Sequence, residues 1–199
     1  EARVRDVLGP DGPFSTRDRY EHREGQLEMA AAVARAFEAE TILLCEAGTG
    51  IGKTLAYLVP AVLSERRVVV STATRALQDQ IVRREIPALS AALGFEPPFA
   101  VAKGLSNYIC RRRLREATLA DDAGPLRRSL PRVLDWVRET ETGDVAELSS
   151  VAEDDPVWSE VVSSSETRIG PSCGDHDRCF VTRMRRELAR ARLLVVNHH

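Results

Sequence analysis

The residues from Ala47 to Thr54, Ala-Gly-Thr-Gly-Ile-Gly-Lys-Thr, have the types and spacing of a loop that holds nucleotide phosphates. Glycines at 48, 50 and 52, interleaved with Thr49 and Ile51, let backbone N–H groups curl around phosphate oxygens. Lys53 brings a compact ammonium to the outer phosphates, and Thr54 offers a hydroxyl to magnesium. The helix that starts there presents its positive end to the anion. The first position is Ala, where many such loops carry Gly. The competing reading is a set of glycines that serve only a tight turn. Such a loop implies a nucleotide without saying what its energy is for.

A phosphate loop has to be carried between a strand and a helix, and the flanking segments read that way. Thr41–Glu46 (TILLCE) is a short aliphatic run expected to form a buried strand, with Cys45 a small buried hydrophobe inside it. KTLAYLVPAVL, residues 53–63, has helical apolar spacing. VVVST, residues 68–72, reads as a second buried strand, and residues 74–89 as an amphipathic helix ending near Pro87. Phe99–Lys103 is a third candidate strand. Alternating strands and helices imply a parallel sheet, an α/β nucleotide-binding core.

Beyond Gly104 the alternation stops. Helical patterns recur at NYICRRRLREATL, SLPRVLDWVRET and CFVTRMRRELARA, joined by polar links, until Leu193–His199 (LLVVNHH) again reads as a strand. The expected organisation is therefore residues 1–103 in the α/β core, 104–192 as a helical insertion, and 193–199 as the return to the sheet.

Composition narrows the class. The 199 residues are 43% hydrophobic and 29% charged, as in ordinary globular proteins. No apolar run approaches the roughly 18 residues of a membrane span, and the first residues have no signal-peptide core. A non-membrane, cytoplasmic protein is expected. The formal net charge of −2 provides no global basic field, so a nucleic-acid partner would need a local groove. Only two of the 28 basic residues are lysines, Lys53 and Lys103. Lysine is thus concentrated where a compact ammonium is useful. Four cysteines in such a chain suggest buried thiols, metal or redox chemistry rather than structural disulfides.

In order, YEHREGQLEMAAAVARAF, EAGTGIGKTLAYLVPA, STATRALQDQ, KGLSNYICRRRL and CFVTRMRRELARARLLVVNHH resemble the iron-sulfur DNA helicases of superfamily 2. Within that DinG and XPD group the likeness is to the bacterial DinG/YoaA-type branch, and it covers nearly the whole chain. It implies a RecA-like P-loop lobe with an inserted helical, iron-sulfur-type domain. It implies an ATP-dependent DNA helicase that moves 5′ to 3′ on single-stranded DNA in repair or replication, using ATP and Mg²⁺. Arg23 and Gln26 match the motif that reads the adenine. Gly48 to Thr54 match the ATP loop, with Lys53 and Thr54 as its catalytic pair. Thr72, Thr74 and Gln78 match the motif that touches the DNA backbone, although one of the threonines is also placed to cap the following helix.

The resemblance also implies four cysteine ligands for a [4Fe–4S] cluster. Cys110 matches the first, Cys173 the third and Cys179 the fourth, but Arg168 stands where the second is expected. Arginine cannot ligate iron. The open readings are a cluster or zinc ion with His176 as fourth ligand, a labile three-cysteine site, or a helical domain without metal. The arginines at 111–113 and at 183, 185 and 186 flank the cysteines. They suit a positive lip for single-stranded DNA, with Arg111 and Arg112 the candidate contacts, or a solvated face paired with acids such as Glu116 and Glu187. Trp136 and Trp158 are expected as core anchors.

The family continues past NHH into a D-E-A-H box and a second lobe. The 199 residues are therefore expected to bind nucleotide weakly and not to unwind DNA. The alternative is a non-catalytic nucleic-acid-binding module with a zinc-stabilised helical domain. Oligomeric state has no signal in the sequence.

Overall fold

The computed structural model describes residues 1–16, 20–120, 126 and 128–197. They form two compact units, Glu1–Val101 with Arg190–His199, and Ala102–Ala189.

In the first unit β1 (Val68–Thr72), β2 (Phe99–Ala102) and β3 (Leu193–Asn197) make one sheet in the order β1-β3-β2. β1 and β3 are parallel, with Val68 opposite Leu193 and Thr72 opposite Asn197. The strand latest in sequence is therefore central. Its first three residues, Leu193, Leu194 and Val195, are all buried, as a central parallel strand requires. His198 and His199, included in the expected strand, lie outside the described residues.

Helices α1 (Ala2–Leu8), α2 (Glu24–Ala39) and α3 (Lys53–Leu63) share the core of this unit. Ala30, Ala34 and Ala56 are buried, and their small side chains let α2 and α3 approach closely. Leu27, Leu58 and Val59 fill the remaining space. The expected helix of residues 74–89 is present but does not stop at Pro87. It runs as α4 (Arg75–Gln80), one π-turn (Ile81–Glu85) and α5 (Ile86–Leu93), and ends at Gly94 with φ 73°. Pro87 has no N–H to give the carbonyl four residues back. The turn before it is widened, so that the Ile86 N–H reaches the Ile81 carbonyl instead.

The expected strand of residues 41–46 is not formed. Ile42 and Leu44 are 94% and 93% exposed, and Cys45 is exposed rather than buried. Aliphatic composition makes a segment suited to a sheet, but a strand also needs a neighbour to complete its ladder. Among the described residues the sheet has no strand beside 41–46.

The second unit is helical: α6 (Arg111–Leu119), α7 (Leu130–Glu139), α8 (Val157–Val161) and α9 (Phe180–Arg190). Among its described residues from 103 onward, sheet pairing is limited to isolated antiparallel bridges, Tyr108–Asp144 and Ile109–Val162. Leu114, Val133, Val157, Val161, Phe180 and Val181 centre its own core. Trp158 is buried there, meets Trp136 edge-to-face at 6.4 Å and donates its indole N–H to the Ala152 carbonyl. Gly143 (φ 69°) passes so close to the Phe180 ring that any Cβ would overlap it. Lys103 pairs with Asp144 at 2.6 Å, both largely shielded from water.

Candidate functional site

The phosphate-loop residues stand at the start of α3. Gly50 and Gly52 take left-handed conformations, φ 82° and 84°, which glycine adopts without steric cost. The turn is held from outside by α2 and the residue before it. Arg23 donates to the Gly50 carbonyl, and Gln26, buried at 4% exposure, donates to the Gly52 carbonyl at 2.9 Å. The Lys53 ammonium folds over its own loop, donating to the carbonyls of Ala47 at 2.9 Å and Gly48 at 2.8 Å. Gly48, Thr49, Gly50 and Lys53 are exposed, so the loop is open to solvent.

Beside the loop lies a cleft of about 230 Å³, lined among others by Tyr20, Arg23, Gln26, Gly52, Thr54 and Arg84. The sequence pairs Arg23 and Gln26 with the loop, and the structure brings them together with it. It also adds Gln80, Arg84 and Glu85 from the π-turn and its flank, which sequence reasoning did not single out. The one signal for them was Pro87 inside a helical pattern, where the missing N–H is accommodated here by a widened turn. Tyr57, one turn into α3, keeps its phenol protonated. Burial pushes its pKa up, Thr54 hydrogen bonding partly offsets this, and the Glu85 carboxylate adds to the rise. The cleft thus offers a hydroxyl, amide and guanidinium donors and the carboxylates of Glu21 and Glu85, with the loop amides and the Lys53 ammonium beside it, a set able to meet phosphate at the loop and a polar heterocycle in the cleft.

The residues after β1 divide differently from expectation. Thr72 is 2% exposed, and its hydroxyl lies within bonding distance of the Val196 and Thr74 carbonyls. Gln78 is 1% exposed and donates to the Val195 carbonyl at 3.2 Å. Thr72 ties the end of β1 to the central strand and Gln78 fastens α4 to it, so neither is at a surface where DNA phosphate could reach it. The inward positions of β1 and α4 are decided by burial against β3. Thr74 remains exposed and caps α4 by accepting the Leu77 N–H.

Arg111 and Arg112 are likewise occupied. The Arg111 guanidinium stacks 4.4 Å from the Phe180 ring centre and donates to the Arg178 carbonyl. Burial, followed by the nearby Arg178 charge, lowers its pKa. Arg112 pairs with Glu116 at 2.6 Å and donates to the Thr167 carbonyl. Arg113 clamps the carbonyls of Val162 and Ser159. Arg183, Arg185 and Arg186 are more exposed.

Cys110, Cys173 and Cys179 line one small cavity together with Arg168 and His176. The structure brings these five residues to one cavity, but among the described residues no three of its His, Cys, Asp or Glu side chains are placed to share a metal ion. Arg168 Nη1 is 3.5 Å from Cys179 Sγ. Burial works against the Cys179 thiolate, but Thr182 and the Arg168 guanidinium outweigh it and bring the thiol pKa below its ordinary value.

Comparison with known proteins bears on both units. Residues 25–108 match the DEAD/DEAH box helicase family. The chain is 39% identical over 197 residues to the ATP-dependent DNA helicase YoaA of Escherichia coli K12, covering 98% of this chain and 31% of that protein. It is 36% identical to YoaA of Haemophilus influenzae, over all of this chain and 32% of the relative. It is 40% identical to the ATP-dependent helicase DinG of Mycobacterium tuberculosis H37Ra, over 88% of this chain and 30% of the relative. The chain thus spans about a third of the length of the curated relatives it matches. No described helix is long and apolar enough to cross a membrane.

Proposed function

From the premise that this chain belongs with the DinG-type DEAD/DEAH box helicases, we propose that it supplies the nucleotide-binding part of an ATP-dependent DNA helicase. The reading includes 5′ to 3′ movement on single-stranded DNA in repair or replication. The observation that carries it is the open loop of residues 47–54, gripped by Arg23 and Gln26 beside a cleft of about 230 Å³.

The parts have distinct tasks. The Lys53 ammonium donates to two neutral carbonyls of its own loop. A phosphate oxygen is a charged acceptor and makes a stronger bond, so Lys53 swings from Ala47 and Gly48 to the incoming anion. Gly50 and Gly52 turn backbone N–H groups toward it, and the N-terminus of α3 adds its partial positive charge. Thr54 is the hydroxyl suited to a magnesium ion, which when bound neutralises phosphate charge. Arg23 and Gln26 link the base end of the cleft to the loop through the Gly50 and Gly52 carbonyls. A bound base and the phosphate cradle are thereby mechanically coupled. Thr74, exposed beyond the carboxyl end of β1, is the proposed single-strand contact of the first unit; the exposed Arg183, Arg185 and Arg186 are, separately, the candidate phosphate contacts of the helical unit.

The test is a titration with a fluorescent ATP analogue and magnesium. The chain should bind, and Lys53→Ala should weaken binding by at least about tenfold, roughly 1.4 kcal/mol. Equal affinity in the two proteins would mean a vestigial loop and favour a non-catalytic DNA-binding module.

A further inference from the structure

We propose that the helical unit of this chain is closed by a guanidinium–sulfur contact between Arg168 and Cys179 and that it carries no iron–sulfur cluster. This goes beyond the helicase reading and does not depend on the phosphate loop.

A [4Fe–4S] cluster is held by four thiolates. The residues at this site do not fit it. Three cysteines and His176 line the cavity, and the fourth thiolate position is held by the cationic Arg168. Exchanging a thiolate for a guanidinium changes the local charge by two and removes an iron ligand. The side chain is also directed at the site, with Nη1 3.5 Å from the Sγ of Cys179, itself one of the remaining ligand candidates. The cavity left between these side chains is small, about 30 Å³. His176 does not complete an alternative set. Its Nδ1 faces the Asp177 carboxylate at 3.6 Å, and among the described residues no three His, Cys, Asp or Glu side chains are placed to share a metal ion. The Thr182 hydroxyl lines the same cavity, buried and without an oxygen or nitrogen partner, and faces the Cys179 sulfur.

The work a cluster would do is already done by arginines. A cluster on these positions would staple three segments: the start of α6 at Cys110, the turns of residues 163–178, and the start of α9 after Cys179. Arg112 ties α6 to the Thr167 carbonyl, and Arg115 ties it to Asp175 at 2.8 Å. Arg111 reaches the Arg178 carbonyl and lies over Phe180, the first residue of α9. Arg168 closes the last side onto Cys179. Every segment pair the metal would join is joined by an arginine hydrogen bond, ion pair or ring contact, around an apolar core that is complete without it.

The full chain and an Arg168→Cys variant are to be purified without oxygen, incubated with ferrous iron and sulfide, and assayed for iron, labile sulfide and visible charge-transfer absorption. The wild type should hold well under one iron per chain, and its melting temperature should not respond to chelator or added zinc. Arg168→Cys should take up about four irons and four sulfides. A wild type that binds a cluster as the variant does, or a zinc ion whose removal lowers its melting temperature, overturns the proposal. So does a folded Arg168→Cys chain that stays free of iron. Should Arg168→Cys not fold, the wild-type metal content still decides the first half. Arg168→Met then decides the second: it should melt several degrees below the wild type, and equal melting would remove the clasp.

Discussion

Replacing Gly52 by alanine should damage the phosphate loop more than the same change at Gly50, although both residues have nearly the same left-handed φ, 84° and 82°. The shared term is the backbone cost of placing an L-residue there, about 1–2 kcal/mol. The difference is what the new methyl meets. A Cβ at residue 50 would find nothing within 4 Å, whereas a Cβ at residue 52 would lie 2.1 Å from Gln26 Nε2. The Gln26 amide must then leave the Gly52 carbonyl, and it is buried with little room to find another partner. Losing that bond and stranding the amide adds about 1–3 kcal/mol. Gly52→Ala should therefore cost about 2–5 kcal/mol and Gly50→Ala about 1–2 kcal/mol, combining the two sources. Thermal melts resolve this, since a chain of this size shifts by roughly 2–4 °C per kcal/mol. Repeating both substitutions in a Gln26→Ala background should bring the two costs to within about 0.5 kcal/mol of each other. A Gly50→Ala loss equal to that of Gly52→Ala, or a difference that persists without Gln26, would refute the coupling of α2 to the loop.

Gln78→Leu should destabilise the first unit by about 1–3 kcal/mol, because it deprives the Val195 carbonyl of a buried donor. Single-stranded DNA affinity measured well below the melting temperature should not change, and a specific loss of affinity would restore Gln78 as a DNA contact. Tyr108 should be the last tyrosine to ionise, since burial, joined by the Asp144 and Glu187 charges and opposed by a Lys103 hydrogen bond, pushes it up to about 12. Its folded pKa lies above the unfolded value near 10. The stability it contributes is thus full below about pH 10 and lost as pH rises toward 12. Ultraviolet phenolate titration of the wild type against Tyr108→Phe checks this: a late step retained in the variant would contradict the assignment.

The phosphate loop was legible in the sequence because its chemistry is local. Eight consecutive residues carry the backbone freedom, the ammonium and the hydroxyl, and no distant partner is needed to recognise them. The helices of both units were legible for a similar reason, since periodic burial is written into the spacing of apolar residues. Tertiary structure alone decided which polar groups are available. Thr72 and Gln78 look like surface contacts in the chain, but they bond to carbonyls 124 and 117 residues away. Residues 41–46 have the composition of a strand without, among the described residues, a neighbour to pair with, and Arg111–Arg113 have the composition of a charged surface while bracing the helical unit. Covalent neighbours set conformational preference and chemical type; burial and hydrogen-bond partnership depend on segments remote in sequence, and those decide whether a given side chain faces a ligand or holds the fold.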